Sequence, residues 1–343
     1  MKVENFGKCK TNAMGILPHQ DTDRALEFSL SLDIPFWPQL PKKNIYEDMY
    51  IQFSENFPGI NIDENNFKIT LNKEKFYEEL PEYLEKAEDE DFYGLSDDYT
   101  LTFNKFLEKD LDKYPAIKGQ IIGPISFGLK IMDEEKKPII FHDEIRYLLF
   151  EFFREKINYQ YKQLYKKHDN VMIHIDEPGL EFVFNSFSGY ASESAREDLS
   201  QLLAGIEGPK VIHLCGNPDW DFLLKQDLDL LSFDAYSKGE RIINYPSLAE
   251  FINGGGIVAW GIVPTHYEIL EKESIESLAD RLENLWSTLE KQGVERETII
   301  NNSQLTPATC SIMGAKNVET VEKAYEYLTK LKDHILSKNN VEA

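Results

Sequence analysis

The residues able to do chemistry concentrate in the second half of the chain. Val211-Ile212-His213-Leu214-Cys215-Gly216-Asn217 ends a β-rich run with an imidazole and a thiol two residues apart. Residues i and i+2 of a strand leave the same face, so His213 and Cys215 can converge on one point. Imidazole and thiolate are preferred zinc ligands, and Gly216 lets the chain turn sharply after them. A lone His-x-Cys is more often accidental, so the weight of this pair depends on a third ligand. Cys310, in the loop after Ile299-Ile300-Asn301-Asn302, supplies it if both segments are strands that open onto one face. Leu230-Leu231-Ser232-Phe233-Asp234 ends in a carboxylate at the same level. Asp234 serves equally well as a fourth ligand, as a group orienting His213, or as a helix cap. Three protein ligands with one labile position mark a catalytic rather than a structural zinc.

Ile173-His174-Ile175-Asp176-Glu177-Pro178 adds two carboxylates, and Pro178 stops the strand so that both lie at a rim. A buried carboxylate needs a cation or several donors. Asp176 is therefore read as a site for an ammonium group, the alternative being a pair that caps or braces a loop. Gly261-Ile262-Val263-Pro264-Thr265-His266 ends another β-rich run. His266 stands where a general acid could work beside the metal, or where it caps the next helix. Cys9 has no such placement and is read as a structural or incidental thiol. His142, His168 and His334 fall on expected helices and are read as solvated.

These residues need a scaffold that gathers strand ends. β-rich runs over 118–122, 170–176, 210–215, 228–234, 256–262 and 298–302 alternate with segments of helical periodicity. Three amphipathic helices are expected, over 142–167, 274–292 and 317–336. The alternation predicts parallel strands joined by crossover helices. The expected fold class is α/β, one (β/α)8 TIM barrel spanning 1–343. Residues 41–115 are acidic, aromatic and without βα alternation, and Glu64-Asn65-Asn66 marks a hairpin. They are expected as an insertion near the N-terminal strands, either a lid over the barrel mouth or a peripheral decoration.

Composition narrows the partners. With 60 acidic and 37 basic residues the formal charge is −23, which repels polyanions and excludes nucleic acid as an expected partner. A 42% apolar content with 21 Phe and 17 Tyr suits a packed interior. The longest apolar runs fall far short of the roughly 20 residues of a membrane span, and the first residues lack the apolar segment of a secretory signal. No membrane partner and a cytoplasmic location are expected. Three cysteines do not make a disulfide framework.

In order and spacing these segments resemble the catalytic barrel of cobalamin-independent methionine synthase. That superfamily includes uroporphyrinogen decarboxylase and the corrinoid-linked thiol methyltransferases. The match begins at Met14-Gly15-Ile16-Leu17-Pro18 and passes Lys118-Gly119, Gly123-Pro124 and Ile175-Asp176-Glu177-Pro178. It continues through His213-Leu214-Cys215, Ser232-Phe233-Asp234 and Gly261-Ile262 to Cys310. The resemblance implies a zinc ion held by His213, Cys215, Cys310 and an acidic residue, with homocysteine bound as a thiolate. It implies that Asp176 holds the amino group of homocysteine, that His266 assists departure of the demethylated donor, and that Met14, Gly15 and Gln39 lie at the substrate. Asp234 is one methylene shorter than the family's glutamate ligand, and Gln39 aligns with a family glutamate that contacts the amino acid.

The longer methionine synthases carry a second, N-terminal barrel that helps bind methylfolate. Its lack of room here, with the spelling His213-Leu214-Cys215-Gly216-Asn217, implies a methyl-corrinoid protein as donor. Gln39 keeps open another small thiol such as coenzyme M as acceptor. A uroporphyrinogen decarboxylase-like enzyme would need clustered arginines, yet Arg24 is alone among the first 145 residues. A non-catalytic zinc-containing binding module is the remaining alternative.

Overall fold

The structure, a computed structural model, describes residues 6–183, 190, 192–309 and 316–341. Its strands are β1 (Lys10–Thr11), β2 (Ile60–Asp63), β3 (Lys68–Leu71), β4 (Ile117–Ile122), β5 (Val171–Asp176), β6 (Lys210–Leu214), β7 (Leu230–Phe233), β8 (Ile257–Val263) and β9 (Ser303–Pro307). Seven of them form a curled, all-parallel sheet in the order β1-β9-β8-β7-β6-β5-β4. The expected α/β class therefore holds. Strands β4 to β8 are the first five of the expected β-rich runs, and they are almost wholly buried because a parallel sheet is covered on both faces.

The sixth run is corrected. Ile299 and Ile300 are buried on a short helix, Arg296–Asn301, and the strand is the next segment, β9. Its polar residues Gln304 and Thr306 are buried, and Gln304 bonds to Asn12 and to the Phe6 carbonyl. A strand that buries polar side chains hides the apolar alternation by which strands are recognised.

Segment 34–39 runs between the two outer strands of this sheet. Ile34 N donates to Thr11 O at 3.0 Å and Lys118 N to Pro35 O at 2.8 Å. Farther along, Gln39 N donates to Gly15 O at 2.8 Å and Leu17 N to Gln39 O at 2.9 Å. The bridges Phe36↔Lys118 and Ile16↔Gln39 are both parallel.

The three expected helices are present as Asp143–Tyr165, Ile275–Lys291 and Asn317–Lys338. The first packs on β4 and β5, the last on β1, β8 and β9. Ser274 closes the start of the middle one with a capping box. Two of the histidines read as solvated are not. His142 bonds Asp133 at 2.8 Å, and both ring nitrogens of His168 meet backbone carbonyls of Tyr114 and Asn170. Cys9 is buried, and burial pushes its thiol up to about 12, an inert structural thiol.

The 41–115 insertion holds the expected hairpin, with β2 and β3 paired from Ile60↔Leu71 to Asp63↔Lys68. Glu47 ties it down: its buried carboxylate accepts from the backbone N–H of Leu40, before the insertion, and of Leu101. Burial pushes Glu47 up to about 7, the two N–H bonds opposing. A carboxyl whose folded pKa lies above its unfolded value, about 4.3, contributes stability fully below that pH and loses it as pH rises through the folded value. Amide exchange over residues 45–107, corrected for intrinsic rate, is expected to be faster at pH 8 than at pH 5.5. Glu47→Gln should flatten the difference; an unaltered pH dependence in that variant would count against the assignment.

Candidate functional site

Parallel strands end on one side, so the loops after β4 to β9 share a rim. Asp176 is the last residue of β5 and pairs in register with His213 on β6, which pairs with Ser232 on β7. Asp234 directly follows β7, and Cys215 follows β6. The rim thus brings Asp176, His213, Cys215 and Asp234 together. Cys310 lies outside the described residues.

His213 is buried, and its Nδ1 lies 2.9 Å from Ser232 Oγ. Burial, helped by the Lys118 ammonium, pulls its pKa down to about 3, so the ring is neutral at physiological pH. With Nδ1–H donating to the hydroxyl, Nε2 keeps its lone pair, the tautomer a metal-binding histidine needs. If zinc binds here, Ser232→Ala should weaken it by roughly 10- to 100-fold in chelator competition. Unchanged affinity would mean that His213 is not oriented through Ser232.

Cys215 is exposed as a residue, but burial of its sulfur raises the thiol pKa, as do the carboxylates of Asp176, Asp234 and Glu181. Glu181 was not anticipated from the sequence. It sits on the short helix Leu180–Val183, and a Cβ on Gly216 would lie 2.8 Å from its Oε2. The missing side chain of Gly216 makes room for it. The one sequence signal was an acid five residues past Asp176, too weak to single out. Negative groups around a thiol oppose its ionisation unless a cation balances them. Among the described residues no three His, Cys, Asp or Glu side chains meet at one metal position. The imidazole, thiol and carboxylates present fit zinc in kind, and Cys310 would be the further donor.

Asp234 does act as a cap. Its Oδ1 accepts from Ser237 N at 2.9 Å at the start of Ala235–Ile242, and Ser232 takes the role of orienting His213. His266 is exposed at the N-cap of Tyr267–Leu270, makes no side-chain cap bond there, and its charge acts on Asp234.

The adjacent carboxylates Asp176 and Glu177 divide. Glu177 is fully buried and accepts from Ile125 N at 3.0 Å, Ser126 N at 2.7 Å and Ser126 Oγ, so it braces the start of Pro124–Lys130. A Cβ at Gly123 would lie 2.1 Å from Glu177 Oε1, which explains the glycine before Pro124. Asp176 is half-buried, and its Oδ1 has no hydrogen-bond partner among the described residues. Burial pushes its pKa up to about 7, the Lys118 ammonium opposing the shift and the Glu177 carboxylate adding to it.

Other predicted contacts line the neighbouring strand ends. Gly15 lies against Gln120, whose side chain a Cβ would overlap. Met14 is buried beside Thr265, Pro307 and Tyr325. Gln39 is buried and bonded to Gln52 of the insertion, which donates to Tyr99 O at 2.6 Å. Tyr50, also from the insertion, stacks on Phe127, and Glu177, Asp48, Asp176 and Cys215 add to the burial that raises its phenol. The insertion therefore reaches the rim.

With the geometry in place, comparison with known proteins finds solved structures of similar fold. A methyltransferase from Methanosarcina mazei superposes with a TM-score of 0.53 at 12% identity, over 91% of this chain and 87% of that one. What the two share is the fold. A Listeria monocytogenes protein described as a putative vitamin-B12-independent methionine synthase matches 64% of each chain at 16% identity, with a TM-score of 0.44. Neither a family model nor a curated protein matches the sequence. No described helix is long and apolar enough to cross a membrane.

Proposed function

We propose that this protein is a methyltransferase that moves a methyl group to a thiol bound at the sheet rim, with homocysteine as acceptor and a methylated corrinoid protein as donor. The observation that supports it most is the neutral His213, with Nδ1 turned to Ser232, beside a Cys215 thiol ringed by Asp176, Asp234 and Glu181. Segment 34–39, bonded to both outer strands, is read as the eighth stave of a closed barrel. The methyltransferase fold neighbour is consistent with that scaffold.

Zinc would be held by His213, Cys215 and Cys310, with Asp234 as a further donor, and when bound supplies the positive charge that keeps a thiol ionised at neutral pH. The residues around it have separate tasks. Asp176 offers a free carboxylate oxygen to an ammonium N–H. Tyr50 and the insertion limit water at the rim. His266, exposed on the open side next to Asp234, is placed to give a proton to the departing donor.

Incubating the zinc-loaded protein with homocysteine and either methyl-corrinoid protein or methylfolate tests this directly. Methionine should form with the corrinoid donor. Efficient turnover with methylfolate alone would sink the corrinoid assignment, and no methionine with either donor would sink thiol methylation.

A further inference from the structure

The seam between the 41–115 insertion and the helix Asp143–Tyr165 holds a cavity that none of the rim residues lines. It measures about 20 Å³, and its lining includes Trp37, Phe53, Tyr93, Phe103, Lys156 and Gln160. That is room for one water or for an ion little larger. Lys156 is out of keeping with these walls. A helical lysine normally lays its stem along apolar surface and carries the ammonium out to water. Lys156 is only 2% exposed, on a helix face that otherwise buries Leu149, Phe152, Phe153 and Ile157.

Its ammonium has three donors, and the partners at hand use them poorly. One N–H reaches Tyr93 O at a long 3.4 Å, and Nζ stands 5.1 Å from the centre of the Phe152 ring. Among the described residues no carboxylate forms an ion pair with it. Glu55 acts on it only from a distance, its own carboxylate accepting from Ser96 N at 3.0 Å. Burial pulls the amine down to about 8, Glu55 opposing, so most of it is charged at neutral pH. Gln160 is already engaged: its oxygen accepts from Trp37 Nε1 at 3.3 Å and its nitrogen donates to Gln120 O at 3.2 Å.

A buried ammonium without a counter-charge is costly, and methionine would fill the same space without that cost. A water in the cavity would accept a hydrogen bond and leave the charge unbalanced. The walls favour a negative occupant as well. Trp37 crosses Phe103 at 75° and Phe53 at 67°, and rings packed edge to face turn their positive edges as well as their faces to the space beside them.

We propose that this cavity is a site for one small monovalent anion, of the size of chloride or formate, held by the Lys156 ammonium and enclosed by the rings of Trp37, Phe53 and Phe103. Phe53, Tyr93 and Phe103 belong to the insertion and Lys156 to the helix that packs on β4 and β5, so the anion ties the insertion down. The assignment is independent of the zinc and of thiol methylation.

Thermal unfolding of the full chain in different sodium salts tests it. With a net charge of −23 any salt stabilises through screening, so chloride and formate are compared at equal ionic strength with gluconate, which is too large for the cavity. Each should raise Tm by roughly 2–4 °C over gluconate. Lys156→Met should abolish that difference. Chloride should also slow amide exchange over residues 45–107 by roughly 3- to 10-fold in the wild-type chain and leave the variant unaltered. Crystals grown in bromide should show an anomalous peak within hydrogen-bonding distance of Lys156 Nζ, a result that decides the matter without any variant should Lys156→Met fail to fold. A water at that position in bromide, equal Tm in chloride and gluconate, or a difference that survives Lys156→Met would overturn the proposal.

Discussion

Replacing His213 with alanine is expected to remove most bound zinc and to slow thiol methylation by roughly 10^3-fold, as several kcal/mol of charge stabilisation at the thiolate is lost. The fold should survive. Among the described residues the ring makes one hydrogen bond, to Ser232 Oγ, and it sits near the end of β6 rather than in the apolar cluster beneath it. Elemental analysis, methionine formation and thermal unfolding of the metal-free protein separate the two effects. Full zinc content and activity in His213→Ala would place the metal elsewhere.

The part of this site that was legible in the sequence is the part carried by strand ends. His213, Cys215, Asp176 and Asp234 each close an apolar run, and a parallel sheet delivers such residues to one rim. Residues that act through tertiary neighbours were not legible. Glu181 reaches Cys215 because Gly216 leaves space, and Tyr50 arrives from an insertion whose path no periodicity predicts. Lys118 was quoted as part of a motif, but its complete burial and its electrostatic effect on Asp176 come from the tertiary fold. The mistaken strand at Thr298 to Asn302 has the same origin. Apolar Ile299 and Ile300 look like strand residues, while the true strand β9 turns Gln304 and Thr306 into the interior.

The second large effect is expected at Glu177, whose neighbour Asp176 is proposed to hold the ammonium group of the acceptor. Glu177→Ala leaves Ile125 N, Ser126 N and Ser126 Oγ without their buried acceptor. Leaving these three buried donors unsatisfied costs about 3–5 kcal/mol, which in a chain of this size lowers Tm by roughly 5–10 °C. The start of Pro124–Lys130 should then move away from the end of β5, because Ser126 Oγ also accepts from Gly179 N at 2.8 Å. Acceptor KM should rise as Asp176 loses its fixed position. Glu177→Gln, which keeps one acceptor oxygen, should lie between wild type and alanine. A Tm within 1 °C of wild type in Glu177→Ala, measured by scanning calorimetry, would mean that the brace is replaced by another group.

The central claim is that an open metal site holding His213 and Cys215 binds the acceptor through its sulfur. X-ray absorption at the zinc edge, recorded with and without homocysteine, addresses it most directly. The account predicts that adding homocysteine brings one further sulfur into the zinc shell at about 2.3 Å. A shell that stays the same on adding saturating homocysteine would contradict it.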